Sequence, residues 1–391
     1  MTWGRIKIPI KELSLDSVLR SGQSFRWKKY DDEWVSVLHS QVLILKQDPH
    51  YVYYRSLGPS ADSPLPAEDR DVEADLRDYF NLNVDINRLY SHWASVDRHF
   101  EKRSQLCQGV RILRQDPWEN LCCFICSSNN NIKRISQMVE NLCSRYGSYV
   151  ASYNGIMYYS FPPAPELRAP AVDQELRKLG FGYRAAYIQK TADKIAEWQA
   201  AGNSLHDLRT RSLAETREFL MEMNGVGPKV ADCVCLMSMD KHAVVPIDTH
   251  MWNVSKKLYK DAIKVSFASK SMTKLVYDSI SSALTALWGD YAGWAQQIIF
   301  TSDLSDFQKG VFLDENAKAQ LAARRTAVKA EEVEIEVKTE TAAEVKTELV
   351  EIGLATVATD TGRSKRTRIK VETAIETTAK ATLPPKRRRR T

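Results

Sequence analysis

With 391 residues, 43% hydrophobic and 9% aromatic, the chain is long enough for two or three domains with buried cores. No apolar run approaches the roughly 18 residues of a bilayer crossing, and seven cysteines at irregular spacing (107, 122, 123, 126, 143, 233 and 235) exclude a disulfide scaffold and fit a reducing compartment. The net charge of +6 says little about nucleic acid, because residues 311–391 hold 17 basic and 13 acidic side chains and leave 38 and 36 for a nearly neutral remainder.

In chain order, the opening "MTWGRIKIPIKELSLD" has neither the apolar core of a signal peptide nor the arginine-rich make-up of a transit peptide, so a protein retained inside the cell is expected. Residues 1–97 alternate and are rich in aromatics, as in "SFRWKK", "EWVSVLHSQVLILKQ" and "YVYYRSL", with "YDD" and "QDPH" between them; these read as antiparallel strands and turns. From 98 to 312 apolar residues recur at three and four, as in "PWENLCCFICSSNNNIKRISQMVENLCSRYG", which predicts a helical domain. Within it "CFIC" has the spacing of half a zinc site, but no second pair or nearby histidine completes it, and it reads as one face of a buried helix. No aromatic follows Phe312, and residues 313–391 are too polar to offset chain entropy, so a disordered tail is expected there. The fold class is α+β, an antiparallel β-rich domain followed by a helical one.

"LMEMNGVGPKVADCVCLMSMDKHAVVPIDTHMW", residues 220–252, carries the chemistry. A helix is expected to stop at Gly225, Gly227 to cap the next, Pro228 to take its first position and Lys229 to fall in its first turn. The first turn of a helix is where an ammonium is least welcome, and desolvating a lysine is one way an amine nucleophile is made. The two glycines let backbone N–H groups approach a phosphate without regard to sequence; a plain packing corner between helices fits them equally well. Asp248 reads as an N-cap, which keeps a carboxylate ionised and leaves it free to offset positive charge on a sugar. Lys229 and Cys233 are four apart and share a helix face, so a charge pair there is a further expectation.

"MNGVGPKVADC" with "VVPIDTHMW" resembles the helix-hairpin-helix and Gly/Pro-Asp signature of base-excision DNA glycosylases. "SGQSFRW" at 21–27, "FICSSNNNIKRI" at 124–135, "LGFGYRAAYI" at 179–188 and "WGDYAGWAQQIIF" at 288–300 narrow the resemblance to eukaryotic-type 8-oxoguanine DNA glycosylase/AP lyases, over residues 3–304. The resemblance implies that Lys229 attacks C1′ and forms a Schiff base while Asp248 stabilises the sugar cation. It implies that Phe300 and Cys233 sandwich a flipped base, that Gln296 bonds its Watson–Crick edge, and that the Gly22 carbonyl meets its N7–H. It places Asn129, Arg134 and Arg184 on the orphaned cytosine, Tyr183 as a wedge in the gap, Gly225 and Gly227 on the DNA strand and His250 on a phosphate. It implies a monomer acting on double-stranded DNA with 8-oxoguanine opposite cytosine, with no cofactor, metal or membrane. Taken singly, Phe300 reads as a core aromatic, 129–131 as a loop or cap, and Tyr183 as a surface anchor. Asn224 stands where the family pattern has proline, and Ile247 and Thr249 where it has valine; the absence of cysteine after Cys235 argues against the iron–sulfur branches.

Two rival functions share parts of this pattern: a monofunctional glycosylase for other damaged bases would not need Lys229, and a noncatalytic DNA-binding protein would not need Asp248 or a base pocket. In the tail, "PPKRRRR" reads as a nuclear import signal or a nonspecific DNA contact; a mitochondrial pool is compatible with the sequence but not indicated by it. Lys329, Lys338, Lys346 and Lys370 each stand in an aliphatic-Lys-x-Glu context, the pattern of SUMO acceptors.

Overall fold

The computed structural model describes residues 2–263, 272–311 and Lys318. The four tail lysines and the basic terminus lie outside the described residues.

Strands β1 (Gly4–Lys7), β2 (Lys28–Tyr30), β3 (Glu33–Leu38), β4 (Gln41–Gln47) and β5 (Tyr51–Leu57) form one antiparallel sheet in the order β1-β5-β4-β3-β2. His39 and Ser40 both take positive φ (48° and 58°), the two-residue turn whose twist matches that of the strands it joins. The register pairs Trp34 with Leu45 and Val35 with Ile44. Trp34, Leu43 and Leu45 enter one buried cluster, with Leu13, Leu15, Leu76 and Phe80, while Val35, Val37, Val42 and Ile44 enter another, with Val150 and Tyr158. Both faces of the sheet are therefore covered, which is why "EWVSVL" reads as almost continuously apolar.

The helices are α1 (Leu15–Val18), α2 (Val72–Tyr79), α3 (Ile86–Val96), α4 (Arg98–Ser104), α5 (Pro117–Ser127), α6 (Ile132–Tyr146), α7 (Ala171–Lys178), α8 (Arg184–Ala200), α9 (Leu213–Met221), α10 (Pro228–Ser238), α11 (Thr249–Leu258), α12 (Lys274–Trp288), α13 (Ala292–Asp303) and α14 (Ser305–Gln308). None of the described helices is long and apolar enough to cross a membrane. Within the stretch expected to be helical, Tyr149–Tyr153 (β6) and Ile156–Tyr159 (β7) form a two-stranded hairpin around Asn154 and Gly155, both at positive φ. This hairpin packs on β3 and β4 and supplies Val150 and Tyr158 to the sheet's second face.

Met1–Asp314 forms one compact unit. Ile86 and Trp93 pack with the helical core and Leu113 with the sheet's, so a single cut at 97/98 does not separate the two cores. Arg26 ties sheet to helices, donating to Glu119 at 2.8 Å and to the Tyr159 carbonyl at 2.6 Å. On α5, Cys122, Cys123 and Cys126 are all buried.

Candidate active site

The segment 220–252 folds as its residue types dictate, with one shift. α9 ends at Met221, several residues before Gly225, and residues 222–227 make the hairpin turn. Gly225 takes φ +80°, and a Cβ there would lie 2.4 Å from the Tyr187 ring, so the turn closes onto α8 only because the residue is glycine. Thr191 and Lys194, one and two turns further along α8, donate to the carbonyls of Asn224 (3.1 Å) and Glu222 (2.8 Å), in the turn and at the C-cap of α9. Gly227 is the N-cap of α10 and Pro228 its first residue. A Cβ at Gly227 would meet nothing within 4 Å, so its backbone is open to an approaching strand.

Lys229 sits in the first turn of α10, half-buried, its Nζ 3.1 Å from Ser127 Oγ and 4.8 Å from the centre of the Phe124 ring. Cys233, one turn on, is buried. Burial pushes its thiol up to about 11; the adjacent Lys229 pulls it down, while Asp248 and Asp232 push it further up. Burial therefore opposes the expected thiolate–ammonium pair while the adjacent Lys229 favours it, and the sulfur presents a polarisable surface.

Asp232, which sequence reading passed over, is 2% exposed. Its Oδ2 accepts from the Tyr277 hydroxyl at 2.6 Å, its Oδ1 lies 2.7 Å from Arg217 Nε without hydrogen-bond alignment, and the Tyr277 oxygen also accepts from the Ile247 N–H at 3.4 Å. The pair thus connects α10 to the segment that presents Asp248. Burial pushes the Asp232 carboxyl up to about 6, against the opposing pull of Tyr277 and Arg217. Because this lies above the ordinary 3.8, its contribution to stability is complete below about pH 4 and is lost as pH rises through about 6, a change on the order of 3 kcal/mol. Asp232→Asn is expected to flatten the fall in melting temperature over that window; an unchanged slope would assign the fall to other groups.

Asp248 caps α11, accepting from the Met251 N–H at 2.7 Å. His250, two residues on, has Nε2 3.0 Å from Asp303 Oδ2 but not aligned for a hydrogen bond, and its ring meets Phe300 edge-on with centroids 5.1 Å apart.

The loop at 21–23 closes the other side. Gly22 takes φ +76°, and a Cβ there would lie 3.2 Å from Ile132 Cδ1 and 3.6 Å from the Phe300 ring. Two buried glutamines hold this loop. Gln297 donates to the Ser21 carbonyl at 2.7 Å, and Gln23 donates to the Arg111 carbonyl at 2.8 Å and accepts from the Leu113 N–H at 3.0 Å. Gln296, one turn before Phe300 on α13, is 4% exposed, and its Oε1 has no hydrogen-bond partner.

Asn129, Arg134, Tyr183 and Arg184 also come together, where loop 128–131 meets loop 180–183. Asn129 takes φ +48°; Asn131 caps α6 by accepting from the Arg134 N–H at 3.0 Å, and Arg134 Nη2 donates to the Gly180 carbonyl at 3.3 Å. Tyr183 is 46% exposed and donates to the Ser128 carbonyl at 3.1 Å. Arg184, by contrast, is buried: Nε and Nη2 donate to the Ser128 carbonyl, Nη2 also to the Asn129 carbonyl at 3.1 Å, and Nη1 to the Phe181 carbonyl at 3.4 Å. Most of its donors hold the protein's own loop.

Residues 5–121 match the family described as 8-oxoguanine DNA glycosylase, N-terminal domain, and residues 122–274 match HhH-GPD superfamily base excision DNA repair protein. An N-glycosylase/DNA lyase of Saccharomyces cerevisiae is 37% identical over 332 residues, 77% of this chain and 86% of that protein. N-glycosylase/DNA lyase OGG1 of Arabidopsis thaliana is 33% identical over 309 residues, 77% of this chain and 80% of that protein. Among solved structures, 8-oxoguanine glycosylase/lyase of Clostridium acetobutylicum, in complex with double-stranded DNA containing cytosine opposite 8-oxoguanine, shares the fold with a TM-score of 0.63 at 26% identity, over 77% of this chain and 97% of that one.

Proposed function

The chain belongs to the 8-oxoguanine N-glycosylase/DNA lyase family of base excision repair enzymes, and from that premise we propose that it excises 8-oxoguanine opposite cytosine through a lysine Schiff base. The observation that carries this reading is the buried, unpartnered Oε1 of Gln296 beside Phe300 and the Gly22 loop. An acceptor left buried without a donor costs about 1 to 3 kcal/mol. A purine flipped out of the duplex supplies that donor from its Watson–Crick edge, while Phe300 and Cys233 take its two faces and the Gly22 carbonyl its N7–H.

Lys229, as the free amine, attacks C1′; the glycosidic bond breaks, and the base leaves with the bonding pair and takes a proton. The resulting N,O-aminal opens its ring: the C1′–O4′ bond breaks, O4′ takes up the proton that Nζ gives up, and a C1′=Nζ imine remains. Removal of a C2′ proton then expels the 3′ phosphate, cleaving the strand. Asp248, fixed by its cap bond, offsets the positive charge that develops on the sugar. Gly225, Gly227 and His250 hold the lesion strand's backbone. Asn129, Arg134 and Arg184 hold the cytosine, and Tyr183 fills the gap. On this reading the protein acts as a monomer on double-stranded DNA. Its basic terminus directs it to the nucleus, and Lys329, Lys338, Lys346 and Lys370 are candidates for SUMO conjugation.

Single-turnover release of 8-oxoguanine from duplexes with cytosine or adenine opposite tests the reading: fast release opposite cytosine supports it, and release of neither would refute it. Asp248→Asn is expected to slow release on the order of 10²-fold while DNA affinity and melting temperature stay near the parent's, since an amide still caps but carries no charge. Parallel loss of affinity and rate would make Asp248 purely structural.

A further inference from the structure

Ser127 and Ser128, at the end of α5, touch both halves of the site. The Ser127 hydroxyl donates to the Phe124 carbonyl at 2.7 Å, which turns its lone pairs to Lys229 Nζ at 3.1 Å. One peptide unit on, the Ser128 carbonyl accepts from Arg184 Nε at 3.2 Å, from Arg184 Nη2 and from the Tyr183 hydroxyl at 3.1 Å. We propose that the Ser127–Ser128 peptide couples recognition of the opposite base to the placement of the nucleophile, with Ser127 as a positioning residue. The inference rests on the reading that Lys229 is the nucleophile and that Tyr183 and Arg184 face the opposite strand.

A hydroxyl that accepts one N–H of the amine fixes the azimuth of the nitrogen and leaves its lone pair to point elsewhere. That contact serves amine and ammonium alike, so Ser127 contributes direction and not deprotonation. Arg184 has few spare donors, and engaging a base requires it to redistribute those on the Ser128 carbonyl. A wrong opposite base leaves a different balance on that carbonyl, and the displacement reaches the Ser127 hydroxyl across Ser128 Cα and the planar Ser127–Ser128 peptide. A misplacement of about 1 Å at a nucleophile is worth about 10²-fold in rate, so small shifts of this peptide suffice for discrimination.

The test is the single-turnover ratio of 8-oxoguanine release opposite cytosine to that opposite adenine. Ser127→Ala is expected to slow release opposite cytosine about five-fold, the loss of one hydrogen bond, to slow release opposite adenine less, and so to lower the ratio. Affinity for abasic-site DNA opposite cytosine is expected to stay unchanged, and Ser127→Thr, which keeps the hydroxyl, to restore the ratio. In the double variant with Arg184→Lys the ratio is expected to fall by less than the product of the single effects, as for two residues on one route. Equal slowing opposite both bases, or multiplicative effects in the double variant, would overturn the coupling. Should Ser127→Ala unfold, Ser127→Cys, of similar volume and weaker acceptor strength, is read in the same way. If the parent protein releases no 8-oxoguanine, the functional reading fails and the coupling with it; if the parent is active and Ser127→Ala keeps its ratio, the coupling alone fails.

Discussion

Lys229→Gln is expected to abolish both base release and strand cleavage on an 8-oxoguanine duplex, by 10³-fold or more, on the order seen when a nucleophile is removed. Glutamine is one bond shorter, is neutral and keeps N–H donors on the side where lysine meets Ser127 at 3.1 Å. Its nitrogen lone pair is delocalised into the amide, however, and cannot attack C1′ or form an imine. The fold should change little, because Lys229 is half-buried at the head of a helix whose remaining residues fill the core. Melting temperature and affinity for uncleaved DNA are the controls. Base release that persists in this variant would mean that water is the nucleophile and that the monofunctional alternative is right.

Gly22→Ala is expected to lower 8-oxoguanine release on the order of 10²-fold while leaving affinity for abasic-site DNA within a few-fold of the parent. Guanine and 8-oxoguanine differ little in shape. Guanine N7 accepts a hydrogen bond whereas the lesion's N7 carries hydrogen, so a carbonyl aimed there attracts one and repels the other. Gly22 sits at φ +76°, where an L side chain costs roughly 1 to 2 kcal/mol. The added methyl would also stand 3.2 Å from Ile132 Cδ1 and 3.6 Å from Phe300. Ile132 can yield, and Gln23 and Gln297 still anchor the loop, so the variant is expected to fold; the carbonyl shifts with the backbone, on the side of the pocket nearest Phe300. Abasic-site DNA brings no base into that pocket and should not register the change. Near-normal release by Gly22→Ala would remove the carbonyl reader from the mechanism.

The parts of the site that depend on neighbours in sequence were readable without coordinates. Gly227, Pro228 and Lys229 stand at the cap and first turn of α10, and Asp248 caps α11, because capping and φ preferences act over three or four residues. The strands of the first sheet were legible from their aromatic and β-branched runs and the turns between them, although burial of both faces blurs the alternation in β3 and β4. The hairpin β6–β7 carries the Asn-Gly of "YNGIMYY", the strongest short-range turn signal, but its short strands lie between long helices whose period masks them. What depends on partners far along the chain was not legible. Arg184 reaches carbonyls 55 and 56 residues away, Lys229 meets Ser127 across 102 residues, and Asp232 meets Tyr277 across 45. For Lys229 and Cys233, spacing placed the two groups on one face, but the burial that opposes a charge pair there comes from the surrounding helices.

The central claim, that Lys229 becomes covalently joined to the sugar of an excised 8-oxoguanine, is tested most directly by borohydride reduction of the reaction on a duplex with cytosine opposite, followed by peptide mass mapping. Reduction converts an imine into a stable amine, so the account predicts a protein–DNA adduct in high yield whose cross-linked peptide carries the sugar on Lys229. An adduct mapped to another residue, or base release at full rate with no adduct, would contradict it.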